Sequence, residues 1–257
     1  MLPEIQLGPV TLKTFGLLFA LAFIAIGLLV ARRLRELGKP ADWAYEMAFA
    51  ALAGGLAGSR LYWLIQHWET TRHDLIGSLF GGAGLVWYGG LLGGALAVVA
   101  WARWRGMLGV ALLDLAAPAL ALGYAIGRCG CQVSGDGDYG KPWDGPWAMA
   151  YPDGVVPTTQ RVHPTPIYES LAMGIAAIVL WRLRDRFRPG VLFAVYLVWA
   201  GAERFLVEFA RRNTEVVAGL TAAQLESLAL LVIGIGWLLV LRARGGWAPA
   251  DGRAATA

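Results

Sequence analysis

The chain has 257 residues, 57% of them hydrophobic and 16% charged, well short of the roughly 25% charged of a soluble domain. Its apolar residues gather in long runs close to the about 20 residues that a bilayer-spanning helix needs, which excludes an ordinary soluble fold. The net charge of +4 does not point to nucleic acid. The basic residues fall mainly at the ends of apolar runs, where membrane topology and lipid headgroups account for them.

The apolar runs predict an all-α polytopic membrane protein with about seven transmembrane helices, at roughly 12–31, 43–66, 84–102, 111–127, 166–181, 190–209 and 224–241. The first run, Phe15 to Val30, is followed rather than preceded by the positive cluster Arg32, Arg33, Arg35 and Lys39, so it reads as a retained span and not a cleaved signal. Alternate connections are rich in Lys and Arg. One side carries thirteen, including Arg103, Arg105, Arg182, Arg184, Arg186 and Arg188, and the other carries Arg72, Lys141, Arg161, Arg211 and Arg212. The richer side is expected to be cytoplasmic, with the N-terminus outside and the C-terminus inside. A single helical domain over 1–245 is expected, with an outward-facing segment 128–165 and a flexible cytoplasmic tail 246–257.

Ionisable residues within spans are costly and mark function or specific pairing. Arg60 follows small residues in "GGLAGSRLYW" and either snorkels, pairs with Glu46, or binds substrate. Arg204 and Glu208, four apart in "GAERFLVEFARR", share a helix face, whereas Glu203 points elsewhere. Arg128, Arg204 and Arg211 lie toward the outer ends of their spans. Converging guanidiniums suit a phosphate, because the planar fork donates paired hydrogen bonds and stays charged when desolvated. In a membrane the nearest phosphates belong to lipids.

"GRCGCQVSGDGDYG", 127–140, concentrates charge and glycine at the end of an apolar run. Its cysteines, Cys129 and Cys131, are too close for an unstrained disulfide and lack evident partners for a metal. "DGDYG" lacks the remaining ligands of a calcium loop, so neither metal nor cofactor is expected. "YGGLLGG", 88–94, permits close approach, either of a ligand or of another helix. In "RVHPTPIYES", 161–170, Pro166 suits a first helical turn. His163 is either a base or an ordinary loop histidine, and Glu169 either opposes the helix dipole or holds an arginine.

Taken in order, "VWYGGLLGG", "GRCGCQVSGDGDYG", "VHPTPIYE", "RFLVEFARR" and "GLTAAQLESL" resemble the prolipoprotein diacylglyceryl transferases over essentially the whole chain. The resemblance implies a multi-pass protein of the bacterial inner membrane. Its activity would be transfer of the diacylglyceryl group of phosphatidylglycerol to the lipobox cysteine of exported prolipoproteins, releasing glycerol 1-phosphate. It implies Arg128 and Arg204 as principal functional arginines, with Glu208 as the latter's acidic partner and Tyr88 and Asp136 in catalytic positions. Arg60, Gly89, Gly90, Ser134, His163, Glu169 and Arg211 would then form the substrate-binding surroundings. Phosphatidylglycerol, prolipoproteins and membrane lipid are the implied partners.

The chain departs from the family pattern at several of these positions. Tyr88 stands where well-known members have histidine, and Cys131, Ser134 and Asp136 replace the asparagines and glutamate of the loop signature. Tyrosine, with an ordinary pKa near 10, is a poor base at neutral pH unless arginines depress it. Either that histidine is dispensable, or Asp136, Asp138 or His163 substitutes for it. A paralogue that binds lipid or lipoprotein without catalysis, or serves another acceptor, is the alternative. A transporter ranks last, since no internal repeat is evident.

Overall fold

The computed structural model describes residues 1–72, 77–78 and 86–248. The chain is mostly helical, with seven long helices among these residues: α1 (Thr14–Glu36), α2 (Trp43–Gln66), α3 (Trp87–Trp104), α4 (Val110–Ser134), α5 (Thr165–Leu183), α6 (Val191–Glu208) and α7 (Ala222–Ala243). Five of them, α1, α2, α4, α5 and α7, are long and apolar enough to cross a membrane. Side chains such as Phe19, Ile24, Leu28, Val232 and Leu239 stay exposed along them, as lipid contact requires. The start of the third predicted span and residues 249–257 of the predicted tail lie outside the described residues.

The described residues form two compact units, one of Met1–Leu29 with the chain from Leu113 onward, the other Val30–Leu112. In the second unit α2 and α3 pack through glycine. A Cβ placed on Gly58 would lie 2.8 Å from Gly93 Cα, and one on Gly93 would lie 2.8 Å from Gly58 Cα. Backbones approach this closely only where both partners lack a side chain. At one end of this pair Glu46 accepts from Arg105 Nε at 2.7 Å and from Trp101 Nε1 at 2.9 Å.

In the first unit α4, α5 and α6 share a core. Ala117, Ala121 and Ala125 recur every four residues on α4 and pack on Met173, Ala176, Ala177 and Leu180 of α5, with Leu192 of α6. The α6 N-terminus is held from a distance: Asp114 on α4 accepts from Gly190 N at 2.6 Å and Phe193 N at 2.8 Å. Its carboxylate thus satisfies orphan amides at the positive end of a helix. α7 starts with a capping box in which Thr221 Oγ1 accepts from Gln224 N and Gln224 Oε1 accepts from Thr221 N.

The segment between α4 and α5 is only partly loop. α4 runs on through exposed Cys129 and buried Cys131 to buried Ser134, seven residues beyond the predicted end of the fourth span. A two-stranded antiparallel sheet follows, β3 (Met149–Tyr151) with β4 (Thr158–Val162); hairpins β1 (Glu4–Leu7) with β2 (Val10–Lys13), and β5 (Glu215–Val217) with β6 (Leu220–Thr221), precede α1 and α7. Tyr139 stacks on Tyr151 at 4.7 Å; with Val162 they make a small core of their own.

Candidate active site

α4 delivers Tyr124 and Arg128, one helical turn apart, so that both project from one face. Gly135 and Gly137, with φ of +61° and +97°, turn the chain back and bring Asp138 onto that face. The next residues pass through a narrow gap: Gly140 N donates to the His163 carbonyl at 2.8 Å and Lys141 N to the Ala210 carbonyl at 2.7 Å. A Cβ on Gly140 would lie 2.9 Å from both His163 Cβ and Thr165 Cγ2, so only glycine passes without displacing them. α5 contributes Glu169, after Pro166 in a first turn where no amide is needed. α6 contributes Arg204 and Glu208, and the loop beyond it Arg211.

These side chains converge on Glu169, which is fully buried. Its Oε2 contacts Arg128 Nε and accepts from the Tyr124 hydroxyl at 2.8 Å. Its Oε1 accepts from Arg211 Nη1 at 2.9 Å and lies 3.5 Å from Arg204 Nη1. Three guanidiniums thus meet one carboxylate, which would be unstable without further negative charge. Asp138 supplies it, contacting Arg128 Nη1 with one oxygen and accepting from Arg211 Nη2 at 2.7 Å with the other. Glu208 supplies the rest: Oε2 is 2.8 Å from Arg204 Nη2, and Oε1 accepts from Asn213 Nδ2 at 2.6 Å and Thr221 Oγ1 at 2.8 Å.

Two features leave cationic groups of the network partly unspent. The Arg204 Nη1 is buried and makes no hydrogen bond, its 3.5 Å approach to Glu169 being a charge contact only. Arg211 Nε is likewise buried without a hydrogen bond, and unspent guanidinium donors are chemically suited to an anion's oxygens. The side chains of Arg128 and Arg204 are also 16% and 22% exposed, against 9% for Arg211, so two of the three reach outward.

Burial alone would raise the Asp138 carboxyl, but Arg128 and Arg211 outweigh it and hold it below the ordinary carboxylate range. Asp138, Asp136 and Cys131 place three candidate ligand atoms within 4.8 Å of one another. Both Asp138 oxygens are already taken by guanidiniums, however, and that positive charge opposes a cation there.

The predicted residues separate on this geometry. Arg128, Arg204, Glu208, Glu169 and Arg211 come together in one network. Asp136 does not touch an arginine but accepts from the Asp138 amide at 3.2 Å, so the loop carboxylate of the network is Asp138. Ser134 is buried and donates back to the Gly130 carbonyl. His163 joins an aromatic group, stacked on Trp143 at 4.3 Å with Nδ1 3.2 Å from the Tyr168 hydroxyl. Burial lowers its proton affinity.

Arg60, Tyr88, Gly89 and Gly90 belong to the second unit. Arg60 does not meet Glu46, which is taken by Arg105; its guanidinium lies over Trp63 at 4.7 Å and donates to the Ser78 carbonyl. Gly89 faces Gly58 and Tyr62 in the helix seam, Gly90 faces Gly55 and Ser59, and Tyr88 is exposed. Tyr124 escaped sequence reasoning, although its place one turn before Arg128 was a usable signal.

Residues 4–240 match the family model described as prolipoprotein diacylglyceryl transferase. Similar curated proteins named phosphatidylglycerol–prolipoprotein diacylglyceryl transferase come from several bacteria. The one from Clostridium tetani is 30% identical over 226 residues, covering 86% of this chain and 90% of that protein. The one from Geobacillus kaustophilus is 32% identical over 257 residues, covering 96% and 94%, and that from Acaryochloris marina is 32% identical over 256 residues, covering 93% and 92%.

Proposed function

Because the chain belongs to the prolipoprotein diacylglyceryl transferase family, we propose that it moves the diacylglyceryl group of phosphatidylglycerol to a prolipoprotein cysteine. The observation that carries this reading is the meeting of Arg128, Arg204 and Arg211 on buried Glu169, with an Arg204 donor unspent.

In this reading Arg128 and Arg204 hold the headgroup phosphate. The acceptor thiol loses its proton and attacks the glyceryl carbon that carries the phosphate ester. The sulfur–carbon bond forms as the carbon–oxygen bond breaks, and the electron pair leaves on glycerol 1-phosphate. The phosphate passes from one negative charge toward two, so fixed cations stabilise the transition state more than the ground state. One such contact is worth about 3–4 kcal/mol in barrier, by analogy with oxyanion-hole donors. Glu169, Asp138 and Glu208 keep the guanidiniums in place before substrate arrives, so no reorganisation is needed during the reaction. Arg211, the least exposed of the three, acts as a positioning residue.

The basic-residue asymmetry supports seven spans in a bacterial inner membrane, with the N-terminus outside and the 128–165 segment on the outer face. There the site meets both the lipid of the outer leaflet and an exported polypeptide. Reconstituting the full chain with phosphatidylglycerol and a lipobox peptide tests the function. A mass gain of one diacylglyceryl group on the peptide cysteine is expected, and no gain, beside an active relative as control, overturns it.

A further inference from the structure

The carboxylates around the arginine cluster are unequally engaged. Glu169, Asp138 and Glu208 each meet two or more donors or cations. Glu203 is different: its Oε1 is buried without a hydrogen-bond donor among the described residues and, unlike the similarly unbonded Glu208 Oε2, which lies 2.8 Å from Arg204 Nη2, it forms no ion pair there. Successive helix residues point about 100° apart, so Glu203 turns away from the face on which Arg204 meets Glu169 and Glu208. It lines a groove of about 670 Å³ between α5 and α6, with Tyr168, Ala172, Trp199, Leu206 and Val207.

Glu203 is nonetheless within electrostatic reach of the cluster. The charged and titratable groups that act on it are Arg128 and Tyr124 from α4, Glu169 from α5, Arg204 beside it and Arg211 beyond α6, with Tyr168 sharing the groove wall. A carboxylate oxygen buried in an apolar groove without a donor is costly, and an apolar residue would fill the space without that cost.

The arginine network itself offers the proposed reaction no free proton acceptor, and Asp136 touches none of its guanidiniums, accepting instead from the Asp138 amide. A thiol attacks as thiolate, so its proton must go to a base. Glu169, Asp138 and Glu208 have their oxygens occupied by guanidiniums or other donors. His163 is stacked in the aromatic group, and burial lowers its proton affinity.

We propose that Glu203, which lines the α5–α6 groove one residue before Arg204 on α6, is the base that takes the proton of the acceptor thiol. This rests on the transferase reading above. The S–H proton passes to the Glu203 carboxylate, and the sulfur forms its bond to the glyceryl carbon. The electron pair of the broken carbon–oxygen bond leaves on the phosphate, and the Glu203 proton then passes to that phosphate or to water.

The test uses the full chain in phosphatidylglycerol vesicles, with lipobox peptides carrying either cysteine or selenocysteine. A selenol is already ionised at neutral pH and needs no base. Glu203→Gln is expected to lower turnover of the cysteine peptide about 10²-fold, while turnover of the selenocysteine peptide stays close to wild type. Full activity of Glu203→Gln on the cysteine peptide overturns the assignment. So does equal impairment on both peptides, which makes Glu203 a headgroup-binding or structural residue instead.

If Glu203→Gln does not fold, the wild-type pH profile decides. An acid limb with the cysteine peptide that lies well below the free thiol's pKa of about 8.5 and is missing with the selenocysteine peptide supports the base, whereas a limb at the thiol's own pKa, or the same limb with both peptides, overturns it. A wild type that modifies neither peptide overturns the transferase reading and the base together, whereas an active wild type with a fully active variant overturns the base alone.

Discussion

Arg211 Nη1 donates to Glu169 Oε1 across 2.9 Å, with both side chains buried. The bond ties the loop beyond α6 to the start of α5 and sets a cation with little exposure behind two that have more. Arg211 also donates to the Asp138 carboxylate and carbonyl, so it organises the loop after α4 as well. In the proposed reading, the two more exposed arginines hold the phosphate and Arg211 positions them.

Arg128→Lys and Arg204→Lys keep the charge but lose the planar fork. Each is expected to lower turnover of a lipobox peptide by about 10²–10³-fold, measured by mass spectrometry in phosphatidylglycerol vesicles. Arg211→Lys should instead show its largest effect on thermal stability. Undiminished turnover in both Arg128→Lys and Arg204→Lys would remove the phosphate role from them.

Glu169→Gln leaves three guanidiniums facing each other without their shared anion. Breaking a buried ion pair from one side costs about 3–5 kcal/mol, so the purified variant should melt well below wild type in the same detergent. A melting midpoint equal to wild type is the result that contradicts this account.

Asp138 links the site to pH. Burial pushes its carboxyl up, but Arg128 and Arg211 win and its folded-state affinity for protons is lowered. A lowered folded pKa contributes stability above the unfolded value of about 3.9, and that stability is lost as pH falls through the folded pKa. Asp138→Asn should therefore cost about 1–3 kcal/mol near neutral pH. The difference should shrink as acid protonates the wild-type carboxyl. Melting curves from neutral pH to below pH 4 test this, and a difference that persists undiminished at the acid end excludes it.

The glycine seam of the second unit gives a prediction independent of the site. Gly58→Ala places a Cβ 2.8 Å from Gly93 Cα, whereas a Cβ on Gly16 of α1 meets nothing within 4 Å. Gly58→Ala is expected to destabilise by about 1–3 kcal/mol, and Gly16→Ala to be neutral or slightly stabilising. Equal melting temperatures for the two variants would show that the seam tolerates side chains.

What the sequence determined by itself was local. Long apolar runs placed α1, α2, α4, α5 and α7, because hydropathy depends on composition over one helix length. The four-residue spacing of Arg204 and Glu208 foretold their pairing, and Pro166 marked the start of α5. Tertiary structure decided everything that depended on choosing among like charges. It gave Glu46 to Arg105 rather than Arg60, the arginines to Asp138 rather than Asp136, and the α6 N-terminus to Asp114. It also supplied the groove that Glu203, already turned from that pair by helix spacing, comes to line. An unpaired charge away from water is so costly that packing selects partners by whatever lies within about 3 Å, and sequence separation carries no record of that distance.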